Sequence, residues 1–140
     1  MLLDPADPTG CMKTDINLIL YKIKIRDDAR AQKEALPKLR EWCKKESQYV
    51  IRSGGVKVIL DSLRNFPSDA GVQAIACATL GTLAYNSLHY PESKELIGKH
   101  CVDLVVRAMH AFPSNADVQG ECCWALSHIC GNCAPMAVAI

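Results

Sequence analysis

The sequence predicts an all-α solenoid, a stack of helical repeats that bury their apolar faces only against one another, and three observations predict it. First, shifting the chain by 46 residues lays 51–86 over 97–132, and 11 of those 36 pairs are identical. A spacing in the forties with helical patterning is the signature of an α-solenoid. Second, the apolar positions inside the repeat follow helical spacing. Val72, Ala76, Leu80 and Leu83 recur as Val118, Cys122, Leu126 and Ile129, an i, i+4, i+8, i+11 stripe that makes one buried face. Third, 49% of the residues are hydrophobic and 22% charged, while aromatics are only 6%. That composition belongs to a folded chain packed through small and medium side chains.

The elements follow in chain order. Residues 1–12 read as an N-terminal tail. Residues 13–45 form a degenerate first repeat, placed by a shift of 41 that sets Asp28, Ala29, Gln32 and Leu39 on Asp69, Ala70, Gln73 and Leu80. Its second helix is expected over 15–25 and its third over 28–46. Pro37 falls inside the latter, where it removes the bond to Lys33 and should kink or split the helix. The next repeats span 46–88 and 89–132, each with three helices. The first is short, over 46–52 and 92–98, and leaves through Gly54-Gly55 or near Gly98, since glycine takes positive φ at a helix exit. The second covers 56–65 and 102–111, with Pro67 and Pro113 just beyond. The third opens at Ser68 or Ser114, whose hydroxyls are placed to cap free backbone N–H groups. Residues 133–140 look like the start of a further repeat, and on this reading the chain is part of a longer array.

Several function classes find little support. Residues 1–64 carry 13 Lys/Arg and 9 Asp/Glu, and residues 65–140 carry 3 and 6. This mild gradient fits solvated helix faces, with no basic cluster interleaved with aromatics to read nucleic acid. Neither a signal peptide nor an apolar run of about 20 residues is present, so no membrane span is expected. The eight cysteines are then expected reduced, in cytosol or nucleus. Cys130-x-x-Cys133 has the spacing of a redox or zinc pair, with Cys122, Cys123, His100 and Cys101 as further candidate ligands. It ends a helix and lacks a second such motif. Cys77 and Cys123 share a repeat position and Cys130 matches Ala84, which favours packing as small core residues. With no phosphate loop, nucleophile elbow or metalloprotease motif, no enzyme activity, cofactor or metal is expected.

The segment Glu46 to Leu60, with Tyr49-Val50-Ile51-Arg52-Ser53-Gly54-Gly55-Val56 at its centre, resembles the first-to-second helix junction of armadillo repeats. Glu92 to Val106 resembles it again. Cys123-Trp124-Ala125-Leu126-Ser127-His128-Ile129 is similar to the armadillo third helix, in which a Trp and an Asn commonly sit four residues apart. The Phe-Pro-Ser-x-Ala-x-Val-Gln connector at 66–73 and 112–119 is similar to one found in several armadillo proteins. The resemblance implies an armadillo-type α-solenoid, a right-handed superhelix of three-helix repeats whose third helices line a groove for extended peptides or partner domains.

Helical geometry points to the same face. At 100° per residue, Val118, Cys122, Leu126 and Ile129 cluster, and Trp124 and His128 fall nearly opposite, beside Asp117 and Glu121. A Trp directed away from the core stripe either packs on a neighbouring repeat or serves as a binding hot spot. The equivalent face of the preceding repeat carries Gly71, Ile75, Ala78 and Thr82, and that of the first carries Arg30, Glu34, Pro37 and Glu41. The candidate groove is thus Ile75, Ala78, Thr82, Asp117, Glu121, Trp124 and His128. It suits a protein or peptide with an apolar anchor and a basic flank. In importin-α-like proteins a Trp/Asn ladder on this face holds nuclear localisation signals. Here His128 stands at the Asn position, which weakens the alternative of a nuclear transport adaptor. His128 either makes a plain hydrogen bond or renders the contact pH-sensitive. Self-association through the apolar C-terminal stretch is a further expectation.

Overall fold

The computed structural model describes residues 11–87 and 99–131, and every structural statement below concerns those residues. Seven helices appear: α1 (Cys11–Ile25), α2 (Ala29–Lys45), α3 (Ser47–Arg52), α4 (Gly55–Asn65), α5 (Ala70–Asn86), α6 (Lys99–Ala111) and α7 (Ala116–Gly131). They pack in two layers. The second helices of successive repeats, α1, α4 and α6, neighbour one another on one side, and the third helices, α2, α5 and α7, do so on the other. The expected short helix at 92–98, the exit at Gly98 and the segment 133–140 lie outside the described residues. Helix α1 begins at Cys11, so the last residues of the expected tail are helical, and Met12 is buried.

Helix α5 shows why the stack holds. Its sequence is apolar or small all the way round, and every residue from Ala76 to Ala84 is buried. A helix without a polar side must be covered on several faces, and α5 lies between α2 and α7 while also resting on α4. The predicted stripe Val72, Ala76, Leu80 and Leu83 is fully buried, as are Val118, Cys122 and Ile129. Leu126 is only partly buried.

Each repeat is closed by the same two devices. The third helix is capped by a carboxylate or amide: Asp28 accepts from Arg30 N at 2.9 Å, Asp69 from Val72 N at 3.0 Å and Asn115 from Val118 N at 3.1 Å. The caps are therefore one residue later than the predicted Ser68 and Ser114, which lie exposed in the preceding turn. Five residues into the helix, counting from its cap as one, a glutamine reaches back to the end of the second helix. Gln32 Nε2 donates to Ile23 O at 2.8 Å and Arg26 O at 3.0 Å. Gln73 donates to Leu63 O at 3.1 Å and Phe66 O at 2.8 Å, and Gln119 to Met109 O at 2.8 Å and Phe112 O at 3.0 Å. Those carbonyls sit where a helix runs out of intrahelical donors, so one side chain fixes the angle between the two helices of each repeat.

Other expectations need correction or gain detail. Pro37 neither ends nor splits α2, which runs unbroken from Ala29 to Lys45. It lies on the exposed side, where water can satisfy the carbonyl of Lys33, while Gln32, Leu36, Leu39 and Cys43 anchor the opposite face. Cys123 is exposed rather than a core residue. Its counterpart Cys77 is covered by α7, whereas no described helix lies beyond α7 to cover Cys123. Gly54 has φ +87°, the left-handed exit from α3 that glycine adopts without penalty.

Candidate partner-binding face of the third helices

The face begins with small side chains. Ala78 and Thr82, expected to line the groove, are instead buried at 1% and 2% exposure, because α5 is covered on several sides, and do not offer a partner a direct contact. Thr82 Oγ1 donates to Ala78 O at 2.8 Å and accepts from Arg40 Nε at 2.9 Å. A threonine hydroxyl on α5 thereby holds a guanidinium that projects from α2. One helix further along, a Cβ on Gly81 would lie 2.8 Å from Trp124 Cζ3 and 2.8 Å from the Ala125 backbone. Glycine at 81 is what lets α7 approach α5 this closely and leaves room for the six-membered ring of the indole.

Trp124 is therefore both packed on the neighbouring repeat and half-exposed. The Arg40 guanidinium stands 5.5 Å from its ring centroid, and His128 meets it edge-on at 4.6 Å. His128 in turn meets the Tyr85 ring at 4.8 Å. Arg40, Trp124, His128 and Tyr85 make a continuous stacking surface drawn from all three third helices, with aromatic contacts that favour such edge geometry. Asp117 is exposed and Glu121 half-exposed on the same helix as Trp124, and Ile75 is half-exposed on α5. Of the expected groove residues the fold thus brings Trp124 and His128 into contact and links Thr82 to Trp124 through Arg40.

Sequence reasoning missed Arg40, Gly81 and Tyr85. The available signal was Gly81 itself, an interior helical glycine in the repeat preceding the one with the tryptophan. Arg40 carried no such signal, because its repeat counterparts are Gly81 and Ser127.

Two of the thiols near this face, Cys43 and Cys77, are buried and held protonated. Burial pushes the Cys43 thiol up to about 12, slightly offset by Arg40. The Cys77 thiol is also held well above its ordinary value, by its hydrogen bond with Cys122 and by burial. Among the described residues no three His, Cys, Asp or Glu side chains converge as a metal would require. No helix among them is long and apolar enough to cross a membrane.

Residues 91–131 match the family model for the armadillo/beta-catenin-like repeat. The chain carries an armadillo repeat. The match begins two residues inside the predicted 89–132 unit and ends one residue before its close. The remaining helices, with the same capping and glutamine devices, give the molecule an all-α armadillo-type fold. The chain is also similar to Protein aardvark of Dictyostelium discoideum, with 32% identity over 87 residues, 60% of this chain. It spans 12% of the length of that protein. No solved structure matches it. Armadillo repeats are non-enzymatic helical scaffolds that generally bind proteins.

Proposed function

We propose that this chain is a protein-interaction module that takes a partner peptide or domain along its third helices, centred on Trp124. The observation that carries this reading is the state of Trp124, half-exposed yet fixed over Gly81 and flanked by Arg40 and His128. A large aromatic whose rotamer is already set loses little entropy on binding, and this is the character of an interface hot spot. Ile75 and Tyr85 extend the apolar contact. Asp117 and Glu121 supply carboxylates for a basic flank on the partner. The module acts by binding alone and without a cofactor, and its free cysteines, among them the exposed Cys123, fit the cytosol or nucleus.

The test is proximity crosslinking in cells with a photoreactive group at Tyr85, comparing the native chain with Trp124→Ala. Partners captured by the first and lost by the second, with helix content unchanged, support the groove. Undiminished capture in the variant would refute it.

A further inference from the structure

A second surface lies at the other end of the stack, between α1 and α2. It is a groove of about 840 Å³. Leu18, Ile19, Ala35 and Trp42 provide its apolar lining, and Leu18 is 48% exposed.

Its position in the repeat tells what shape it accepts. On α5, Thr79 and Thr82 are covered by α2, through bonds to Leu36 O at 3.4 Å and from Arg40 at 2.9 Å, and a Cβ on Gly71 would meet Lys33. On α7, Trp124 and Ala125 are covered by Gly81 of α5. The repeat offset of 41 carries Gly71, Thr79 and Thr82 onto Arg30, Lys38 and Glu41 of α2, and all three line the groove. The same register that holds a helix twice within this molecule is therefore, among the described residues, open on α2.

Its charge tells what kind of helix. Arg30 pairs with Glu34 at 3.4 Å and Lys44 with Glu41 at 3.0 Å, and Asp28 is engaged as the cap of α2. Lys45 lies over the Trp42 ring at 5.8 Å. Outside these ion pairs the lining carries four cations, Lys22, Arg26, Lys38 and Lys45, against two carboxylates, Asp15 and Asp28, with no ion pair between them among the described residues, an excess of two positive charges. A second copy of this chain fits poorly. The face that α7 turns away from α5 carries Gly120, Cys123 and Ser127, which would bury Lys38 without a counter-charge, a costly arrangement.

We infer that the α1–α2 groove docks an amphipathic helix of a partner protein, with its apolar stripe on Leu18, Ile19 and Trp42 and its acidic residues against Lys22, Arg26 and Lys38. This site shares no residue with the Arg40, Tyr85, Trp124 and His128 surface, and either can fail without the other.

The probe is a fluorescein-labelled helical peptide of about 18 residues with leucines at helical spacing and glutamates elsewhere. A companion peptide has lysine at each glutamate. Anisotropy titrations against the full chain should show the glutamate peptide binding at least about tenfold more tightly than the lysine peptide. Lys38→Glu should weaken the glutamate peptide by about fivefold or more, and Lys57→Glu, the same charge change on α4, by less than about twofold. Circular dichroism checks that both variants keep the fold. Equal binding of the two peptides, or equal effects of the two substitutions, overturns the proposal. So does a concentration-dependent dimer in sedimentation that Lys38→Glu abolishes, since the groove would then belong to a second copy.

Discussion

Replacing Gln32 with leucine isolates what the repeated glutamine contributes. Gln32 is 1% exposed, and its amide is fully used: Nε2 donates to Ile23 O and Arg26 O, and Oε1 accepts from Ser62 Oγ at 2.6 Å. Leucine fills nearly the same volume, so cavity formation is a minor effect and lost hydrogen bonding dominates. Two carbonyls at the end of α1 and a hydroxyl on α4 would be left without these partners, and Ser62 is itself 3% exposed. At about 1–3 kcal/mol for each buried polar group left unsatisfied, with water recovering part of the Arg26 carbonyl, the loss is about 3–5 kcal/mol. The extra apolar burial of leucine returns about 1 kcal/mol. The expected net destabilisation is about 2–4 kcal/mol, a large share of the total for a small domain. It is read as the shift of the urea midpoint followed by circular dichroism at unchanged slope. Adding Ser62→Ala removes the orphaned hydroxyl and should restore about 1 kcal/mol relative to additivity. A loss below about 1 kcal/mol, or strictly additive effects, would show that the glutamine is incidental to the repeat.

Three further outcomes are expected. Gly81→Ala should lower the thermal midpoint although alanine is the better helix former by about 1 kcal/mol. The new methyl meets the Ala125 backbone and the Trp124 ring, a clash costing about 1–3 kcal/mol, and an unchanged or higher midpoint would contradict the close approach of α5 and α7. Asp69 is held below its ordinary value of 3.8 by the Val72 N–H and by Lys33. Its stabilisation is thus complete above pH 3.8 and fades as the pH falls through its lower folded value. Asp69→Asn should flatten that acid limb of the stability curve, and an identical limb in both proteins would remove Asp69 as its source. Alkylation of the native protein at pH 8 should modify exposed Cys123 well before Cys43 or Cys77, whose thiols are buried and held protonated. Peptide mass mapping showing equal rates would refute the burial assigned to α2 and α5.

How much of this was legible in the sequence depended on whether a residue's role repeats. Gln32, Gln73 and Gln119 occupy one repeat position because each performs the same local task within its own unit, and self-alignment finds them. The caps show the opposite case. Identity across repeats pointed to Ser68 and Ser114, but the capping position is filled by Asp28, Asp69 and Asn115, whose chemistry is kept while identity is not. Pro37 misled for an energetic reason. One missing bond on the exposed side of α2 is small beside the buried contacts of Leu36, Leu39 and Cys43, so local propensity yielded to packing.

Between repeats the sequence is least informative, because the position facing a neighbour depends on which neighbour is there. Arg40, Gly81 and Ser127 are equivalent by register, yet Arg40 bridges Thr82 and Trp124, Gly81 makes room for an indole, and Ser127 is exposed. Arg40 and Gly81 are fitted to the next helix along rather than to their own unit, whereas the Ser127 hydroxyl donates to Trp124 O of its own helix. The same logic separates the two proposed surfaces. On α7 the contact with α5 leaves part of an indole uncovered, so binding there extends an existing interface. On α2 the equivalent positions carry Arg30, Lys38 and Glu41 in place of Gly71, Thr79 and Thr82. A third helix like α2 or α5, bringing small and apolar side chains, would strand those charges. A helix that brings its own carboxylates would not, and that difference makes the charge of the peptide the decisive variable in the titration.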